Sequence, residues 1–157
     1  MKDKATLLQE FDHARGHMRA ALASASPRMT IYPEWTIKEL LAHLAGWDDA
    51  TILALQALEA GDEPPMLALR GIDFYNAQTV AERSDLNYDQ IVKEWELVRE
   101  QLVKLLSEMP EDLVPKRVVT PWGAIMPVAH MIQVMIDHEE EHAEAVEEMV
   151  QEAGVNP

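Results

Sequence analysis

The chain has 157 residues, 48% of them hydrophobic, with no cysteine and 13 basic side chains against 28 acidic ones, a formal charge of −15. That length buries roughly two-thirds of the unfolded surface in one domain, expected over 1–157, with no disulfide or structural metal needed to hold it. A surface this negative repels nucleic-acid phosphates and anionic lipid, so neither nucleic acid nor membrane is an expected partner, and without thiolates any ligand chemistry must use His, Asp or Glu. The start, Met1-Lys2-Asp3-Lys4-Ala5, has no apolar signal-type core, and no later stretch is apolar over the width of a bilayer. The expected location is the cytoplasm.

Leu7, Leu8, Phe11, Met18 and Leu22 recur at three- and four-residue steps, which gathers them into one stripe of an α-helix closed by Pro27. A second helix opens at Thr36, which has capping-box spacing to Glu39. Its stripe is Ile37, Leu40, Leu44, Trp47, Ala54 and Leu58, and it stops near Gly61. Gly61-Asp62-Glu63-Pro64-Pro65 cannot continue a helix, so 61–86 reads as a long connection holding one short helix from about Ile72 to Arg83. Connections of that length often carry function. From Asn87 a third long helix sets Ile91, Trp95, Val98, Leu102, Leu105 and Leu106 on one face and stops at Pro110. Val114 to Trp122 holds two prolines and the β-branched run Val118-Val119-Thr120, which reads as an extended crossover pairing briefly with itself. The last helix is expected from about Met126, with Pro127 in its first turn, through Val128, Met131, Ile132, Met135, His138, His142, Val146 and Met149 to about Gln151. Four long amphipathic helices without a convincing strand partner predict an all-α four-helix bundle with a long connection between its second and third helices.

At 100° per residue each of the six histidines can be placed against the apolar stripe of its helix. His13 and His17 fall off the first stripe and His130 off the last, and all three are expected in solvent. His138 and His142 lie one turn apart inside the last stripe, and His43 lies at the edge of the second, beside Leu40, Leu44 and Trp47. A neutral imidazole carries one donor and one acceptor, and an unpaired polar group in a core costs about 1–3 kcal/mol, so inward histidines need partners. Backbone, hydroxyl or buried-water partners would meet that need. So would a divalent cation: three histidines from two core-facing helix surfaces, with no other polar residue so placed, can hold part of a metal site and leave positions open for water or substrate. The spacing favours the cation. Glu139 also falls near the inward face, where it could orient a ligand imidazole or accept a proton, the alternative being an ordinary solvated glutamate.

His138-Glu139-Glu140-Glu141-His142 matches the H-E-x-x-H pattern of zinc proteases, but only 15 residues follow His142 and no substrate-binding sheet is evident. The acidic run from Asp137 to Glu148 reads as a solvated face, and the four tryptophans and nine methionines as core filler. No Gly-rich phosphate loop, nucleophile elbow or dinucleotide motif is present.

Trp35-Thr36-Ile37-Lys38-Glu39-Leu40-Leu41-Ala42-His43-Leu44-Ala45-Gly46-Trp47-Asp48, then Asp73-Phe74-Tyr75-Asn76, then His138-Glu139-Glu140-Glu141-His142 together resemble the DinB-like superfamily of metal-dependent four-helix bundles, in particular its ClbS/DfsB-like branch. The likeness runs in order and spacing over essentially the whole chain. It implies an up-down-down-up bundle, often a homodimer, with a divalent ion on one histidine of the second helix and two of the last, which map onto His43, His138 and His142. Members of the family include thiol-dependent transferases and isomerases using mycothiol or bacillithiol, and ClbS-like proteins that protect cells against a reactive genotoxin. Many members carry Gln three residues after the last histidine, where this chain has Ala145.

The function expected from residues and resemblance together is a divalent-metal-dependent enzyme, a thiol-dependent S-transferase or isomerase or a hydrolase acting on a small electrophile. Zinc or nickel is the expected cation, although three imidazoles suit cobalt, copper and iron as well. The expected partners are a small-molecule substrate, a low-molecular-weight thiol that must arrive as a cosubstrate, and a second copy of the chain. Two other readings stay open. One is a non-catalytic ligand-binding or genotoxin-protection bundle with no obligatory metal, its histidines acting as core hydrogen-bonders; the other is a structural dimer.

Overall fold

The computed structural model describes residues 1–155, and three of its long helices begin where side chains satisfy free backbone N–H groups. Asp3 Oδ1 accepts from the Thr6 N–H at 2.8 Å and starts α1 (Lys4–Ala23). A hairpin of β1 (Thr30–Tyr32) and β2 (Trp35–Thr36) follows, turning at Pro33 and Glu34. It leads directly into α2 (Ile37–Ala60), where the Glu39 carboxylate accepts from the Thr36 N–H at 3.2 Å. Gly61, at φ 74°, ends α2 in the left-handed conformation that glycine adopts without strain. The short α3 (Ile72–Glu82) lies in the long connection as expected, and Asn87 and Gln90 each accept from the other's backbone N–H at 2.9 Å to start α4 (Tyr88–Glu108). Then come β3 (Arg117–Val119), β4 (Ile125–Pro127) and α5 (Val128–Val155).

The fold is an all-α four-helix bundle of α1, α2, α4 and α5, with α2 packed chiefly on α4 and α1 on α5. The two hairpins correct the expectation in detail. Val114 to Trp122 does not pair with itself: Val118 faces Met126, and Arg117 faces Pro127 across an antiparallel ladder turned at Gly123, whose φ is 90°. Met126 and Pro127 are therefore strand, and α5 starts at Val128 and continues past Gln151. A strand of two or three residues is too short to show alternation, so periodicity alone does not detect it.

α3 crosses the first half of α2, and α2 is consequently buried on nearly every side from Leu40 to Asp48, not along one stripe. Gly46 makes this crossing possible. A Cβ there would sit 2.0 Å from Thr79 Oγ1, and the Gly46 carbonyl accepts from Tyr75 Oη at 2.8 Å.

The apolar core is in two parts. One gathers Leu7, Phe11, Leu55, Leu102, Leu106, Val128 and Ile132; the other gathers Met18, Leu40, Leu44, Ile91, Trp95, Ala143 and Val146. Between them in sequence register, on all four long helices, lie the buried polar residues Arg15, His43, Asp48, Arg99 and Glu139. A polar layer thus cuts the bundle across its middle. Among the described residues no helix is long and apolar enough to cross a membrane.

Candidate metal centre

The structure brings His43 from α2 together with His138 and His142 from α5, their ligand atoms all within 4.8 Å of one another. His138 Nε2 stands 2.9 Å from His43 Nε2 and 3.0 Å from His142 Nε2. The rings meet edge to face, with centroids 4.8 Å (His43 to His138), 5.2 Å (His43 to His142) and 4.5 Å (His138 to His142) apart. Burial and the two neighbouring imidazoles push His43 down to about 2. Burial pushes His138 down to about 4, with Glu139 pulling it up and Arg99 pushing back, and burial with His138 pushes His142 down to about 3. All three rings are neutral at pH 7, the form that carries a lone pair for a cation.

The hairpin β1–β2 lays its aromatic residues on this cluster. Tyr32 Oη is 2.7 Å from His142 Nδ1, and the Trp35 ring centroid is 4.9 Å from that of His43. With Tyr32 as acceptor, His142 carries its proton on Nδ1 and keeps the Nε2 lone pair on the side of the other two rings. Tyr32 thus offers His142 a partner although position 145 is alanine. Among the described residues, buried His43 Nδ1 has no hydrogen-bond partner. The donor set fits a divalent cation: three neutral imidazole nitrogens, two of their spacings slightly inside the roughly 3.3 Å that separates nitrogens around a tetrahedral ion with bonds of about 2.0–2.1 Å.

Two clefts of about 430 and 610 Å³ flank the cluster, and His43, Asn76 and His138 line both. Asn76, from α3, accepts from Trp47 Nε1 through Oδ1 at 2.7 Å, which leaves its amide N–H groups for whatever occupies the groove. Trp35, Trp47 and Trp122 line the clefts as well, so three of the four tryptophans are more than core filler.

Glu139 faces inward, but its partners are arginines and an indole. It is 0% exposed and makes no hydrogen bond to an imidazole: Oε1 accepts from Arg15 Nε at 2.9 Å and Trp95 Nε1 at 3.1 Å, and Oε2 from Arg99 Nη1 at 2.5 Å. Arg99 also donates to Asp48 through Nε at 2.8 Å and Nη2 at 3.1 Å. These four charges cancel, join all four long helices, and adjoin the histidines in the same layer. The expectation that no polar residue besides the histidines faces the core is therefore wrong. Arg15, Asp48 and Arg99 each lie three or four residues from apolar stripe positions (Phe11 and Met18 for Arg15, Leu44 for Asp48, Trp95 and Leu102 for Arg99), and that register was the available signal.

His17 departs from expectation too. It is only partly exposed, bridging Glu140 Oε2 at 2.5 Å and Glu147 on α5, whereas His13 and His130 are in solvent as read. Two carboxylates, one on each ring nitrogen, require a proton on each, and the Glu140 hydrogen bond, followed by Glu147, raises the His17 pKa.

The DinB superfamily model matches residues 30–146, from the first hairpin through both histidines of α5. This chain belongs to the DinB superfamily. Solved structures with the same fold include the mycothiol-dependent maleylpyruvate isomerase, 20% identical with a TM-score of 0.80, the match covering 92% of this chain and 61% of that one. This DinB protein therefore spans about 61% of the length of the isomerase. The Sibling Lethal Factor precursor DfsB matches at 13% identity and TM-score 0.80 over 98% of both chains. The colibactin self-resistance protein ClbS, solved in complex with a double-stranded DNA, matches at 14% identity and TM-score 0.78 over 95% of this chain and 96% of its own. At such identities the likeness is one of fold. No curated protein matches the sequence. Because a bundle of this fold holds DNA in ClbS, net charge alone does not exclude nucleic acid for this DinB protein.

Proposed function

We propose that this DinB protein holds one divalent transition-metal ion, zinc or nickel, on Nε2 of His43, His138 and His142, and uses it in a transfer, isomerisation or hydrolysis reaction on a small electrophile. One observation carries the proposal. His138 Nε2 faces two other Nε2 atoms at 2.9 and 3.0 Å, and a ring nitrogen has either one proton or one lone pair, so no metal-free protonation pattern fully satisfies both contacts. A cation satisfies all three lone pairs at once. When bound, it supplies Lewis acidity, polarising a carbonyl and lowering the pKa of a coordinated water or thiol.

The chain's own residues do the rest. Tyr32 holds His142 in the ligating tautomer, the indoles of Trp35, Trp47 and Trp122 displace water from the groove, and the Asn76 amide donates to an oxygen of the bound molecule. With Glu139 committed to Arg15 and Arg99, the carboxylates available to receive a proton beside the cluster are Asp137 and Glu141, which line the groove. A thiol nucleophile comes from solution, since the chain has no cysteine. A small-molecule rather than a nucleic-acid ligand, and a homodimer in solution, belong to the same proposal; duplex-DNA titration at low salt and light scattering check them.

Elemental analysis of untagged protein is expected to return about one transition-metal ion per chain, and His43→Ala to weaken added-zinc binding by about 10-fold or more. EDTA should lower the melting temperature, because a ligand bound only by the folded state stabilises it. Absence of stoichiometric metal together with unchanged zinc affinity in His43→Ala sinks the proposal. The second reading, a ligand-binding bundle without turnover, draws on the N···N spacings also being hydrogen-bond distances; melts unchanged by EDTA favour it.

A further inference from the structure

We infer that the groove over the imidazole cluster selects a positively charged, amphipathic organic molecule and rejects carboxylates. The inference rests on the functional reading above and names the charge class of its substrate. The two clefts share His43, Asn76 and His138, so they form one groove passing over the imidazoles. Apart from those rings and the Tyr32 phenol, its ionisable lining is carboxylate: Asp137 and Glu141 on one side, Glu34 and Asp73 on the other. All four are exposed, and among the described residues none of them has an ion-pair partner, whereas Arg15, Arg19, Arg83 and Arg99 are each engaged with acids elsewhere. No lysine or arginine lines either side.

The remaining walls are aromatic. Trp47 and Trp122 stand on one side with centroids 6.2 Å apart, and Tyr32 and Trp35 on the other, 6.1 Å apart edge to face. Aromatic faces attract ammonium groups and take up apolar bodies, while unneutralised carboxylates in a concave site concentrate cations and repel anions. Carboxylates, aromatic faces and the absence of a basic side chain all act in the same direction, and the groove volume suits a molecule of drug-like size.

The test uses three probes on one ring: benzyltrimethylammonium, phenylacetamide and phenylacetate. A quaternary ammonium cannot ligate a metal and a carboxylate can, so metal loading biases the comparison against the inference. Binding is followed by tryptophan fluorescence, and by NMR of the Trp35 and Trp47 indole N–H signals, on zinc-loaded and on EDTA-treated protein. The ammonium is expected to bind at least about 10-fold tighter than phenylacetate at low ionic strength, about 1.4 kcal/mol, with phenylacetamide between them and the gap narrowing in high salt. Glu34→Gln/Asp73→Asn/Asp137→Asn/Glu141→Gln, four exposed positions, should close most of that gap. Phenylacetate binding as tightly as the ammonium in the EDTA-treated protein, a gap that survives the quadruple variant, or binding that leaves both indole signals unmoved overturns the inference. A cation preference that persists in EDTA-treated protein supports it whatever the metal content, so a failed metal reading and a failed charge selectivity are separate results.

Discussion

Replacing Arg99 by Met removes the side chain that hydrogen-bonds to both buried acids, leaving Arg15, which bonds Glu139 and reaches Asp48 only at 3.8 Å. Arg99 donates twice to Asp48 and once to Glu139, Arg15 donates to Glu139, and the formal charges sum to zero. Arg99→Met leaves two carboxylates and one guanidinium, hence one uncompensated negative charge among groups that are 2% (Asp48), 0% (Glu139) and 3% (Arg15) exposed. Stranding a buried charge in this way costs about 3–5 kcal/mol. At about 2–4 °C per kcal/mol for a chain of this size, the melting temperature should fall by about 6–20 °C. Urea unfolding followed by tryptophan fluorescence gives the free-energy difference directly.

The deficit depends on pH. Burial already raises the Asp48 pKa and Arg99 opposes that rise, so without Arg99 the folded pKa moves further above the unfolded one. A group raised in this way is least unfavourable to the fold below its unfolded pKa and costs stability as pH climbs through the folded value. The variant should therefore lose most at neutral pH and recover towards about pH 4. Arg99→Met/Glu139→Gln removes the surplus charge and should regain about half of the loss. A cost below about 1 kcal/mol at pH 7, or a double variant no more stable than the single one, refutes the reasoning.

Two further outcomes are expected. Tyr32→Phe deletes the hydroxyl 2.7 Å from His142 Nδ1; zinc affinity by chelator competition should drop about 10- to 100-fold while metal-free stability changes by about 0.5–1.5 kcal/mol, and unchanged affinity would show that Tyr32 does not orient the ring. His17, clamped between Glu140 and Glu147, has its folded pKa raised. Its contribution is therefore fully present below its unfolded value of about 6.5 and is lost as pH rises through the folded value. His17→Gln should melt lower than wild type at about pH 6, with the difference fading in alkaline buffer; a difference that grows with pH contradicts the charged bridge.

What was legible in the sequence was local. The cap at Thr36, the start at Asn87, the stops at Gly61 and Pro110, and the stripe along each long helix depend on residues within one or two turns of each other, and the helices begin and end within a few residues of those signals. The inward angles of His43, His138 and His142 follow from the same periodicity, and the structure brings the three rings to one point.

Other features depend on residues far apart in the chain. Arg15, Asp48, Arg99 and Glu139 each lie near the inward register of a single helix, but which of them pair is not readable there; only their meeting across four helices makes burial affordable, because a charge leaves water at tolerable cost only when its partners arrive with it. The same holds for Glu139, whose neighbours in sequence allow a proton acceptor and whose oxygens are engaged by partners from α1 and α4. The hairpin that carries Tyr32 and Trp35 onto the imidazoles is too short to announce itself by alternation. Pro127 reads as a helix start until β3 is seen alongside it. By itself the amino-acid order determined where helices run and which faces turn inward, since hydrogen-bonding and hydrophobic periodicity act over a few residues. Tertiary structure alone decided which buried polar groups pair and what lines the groove, since those choices join atoms that no local rule relates.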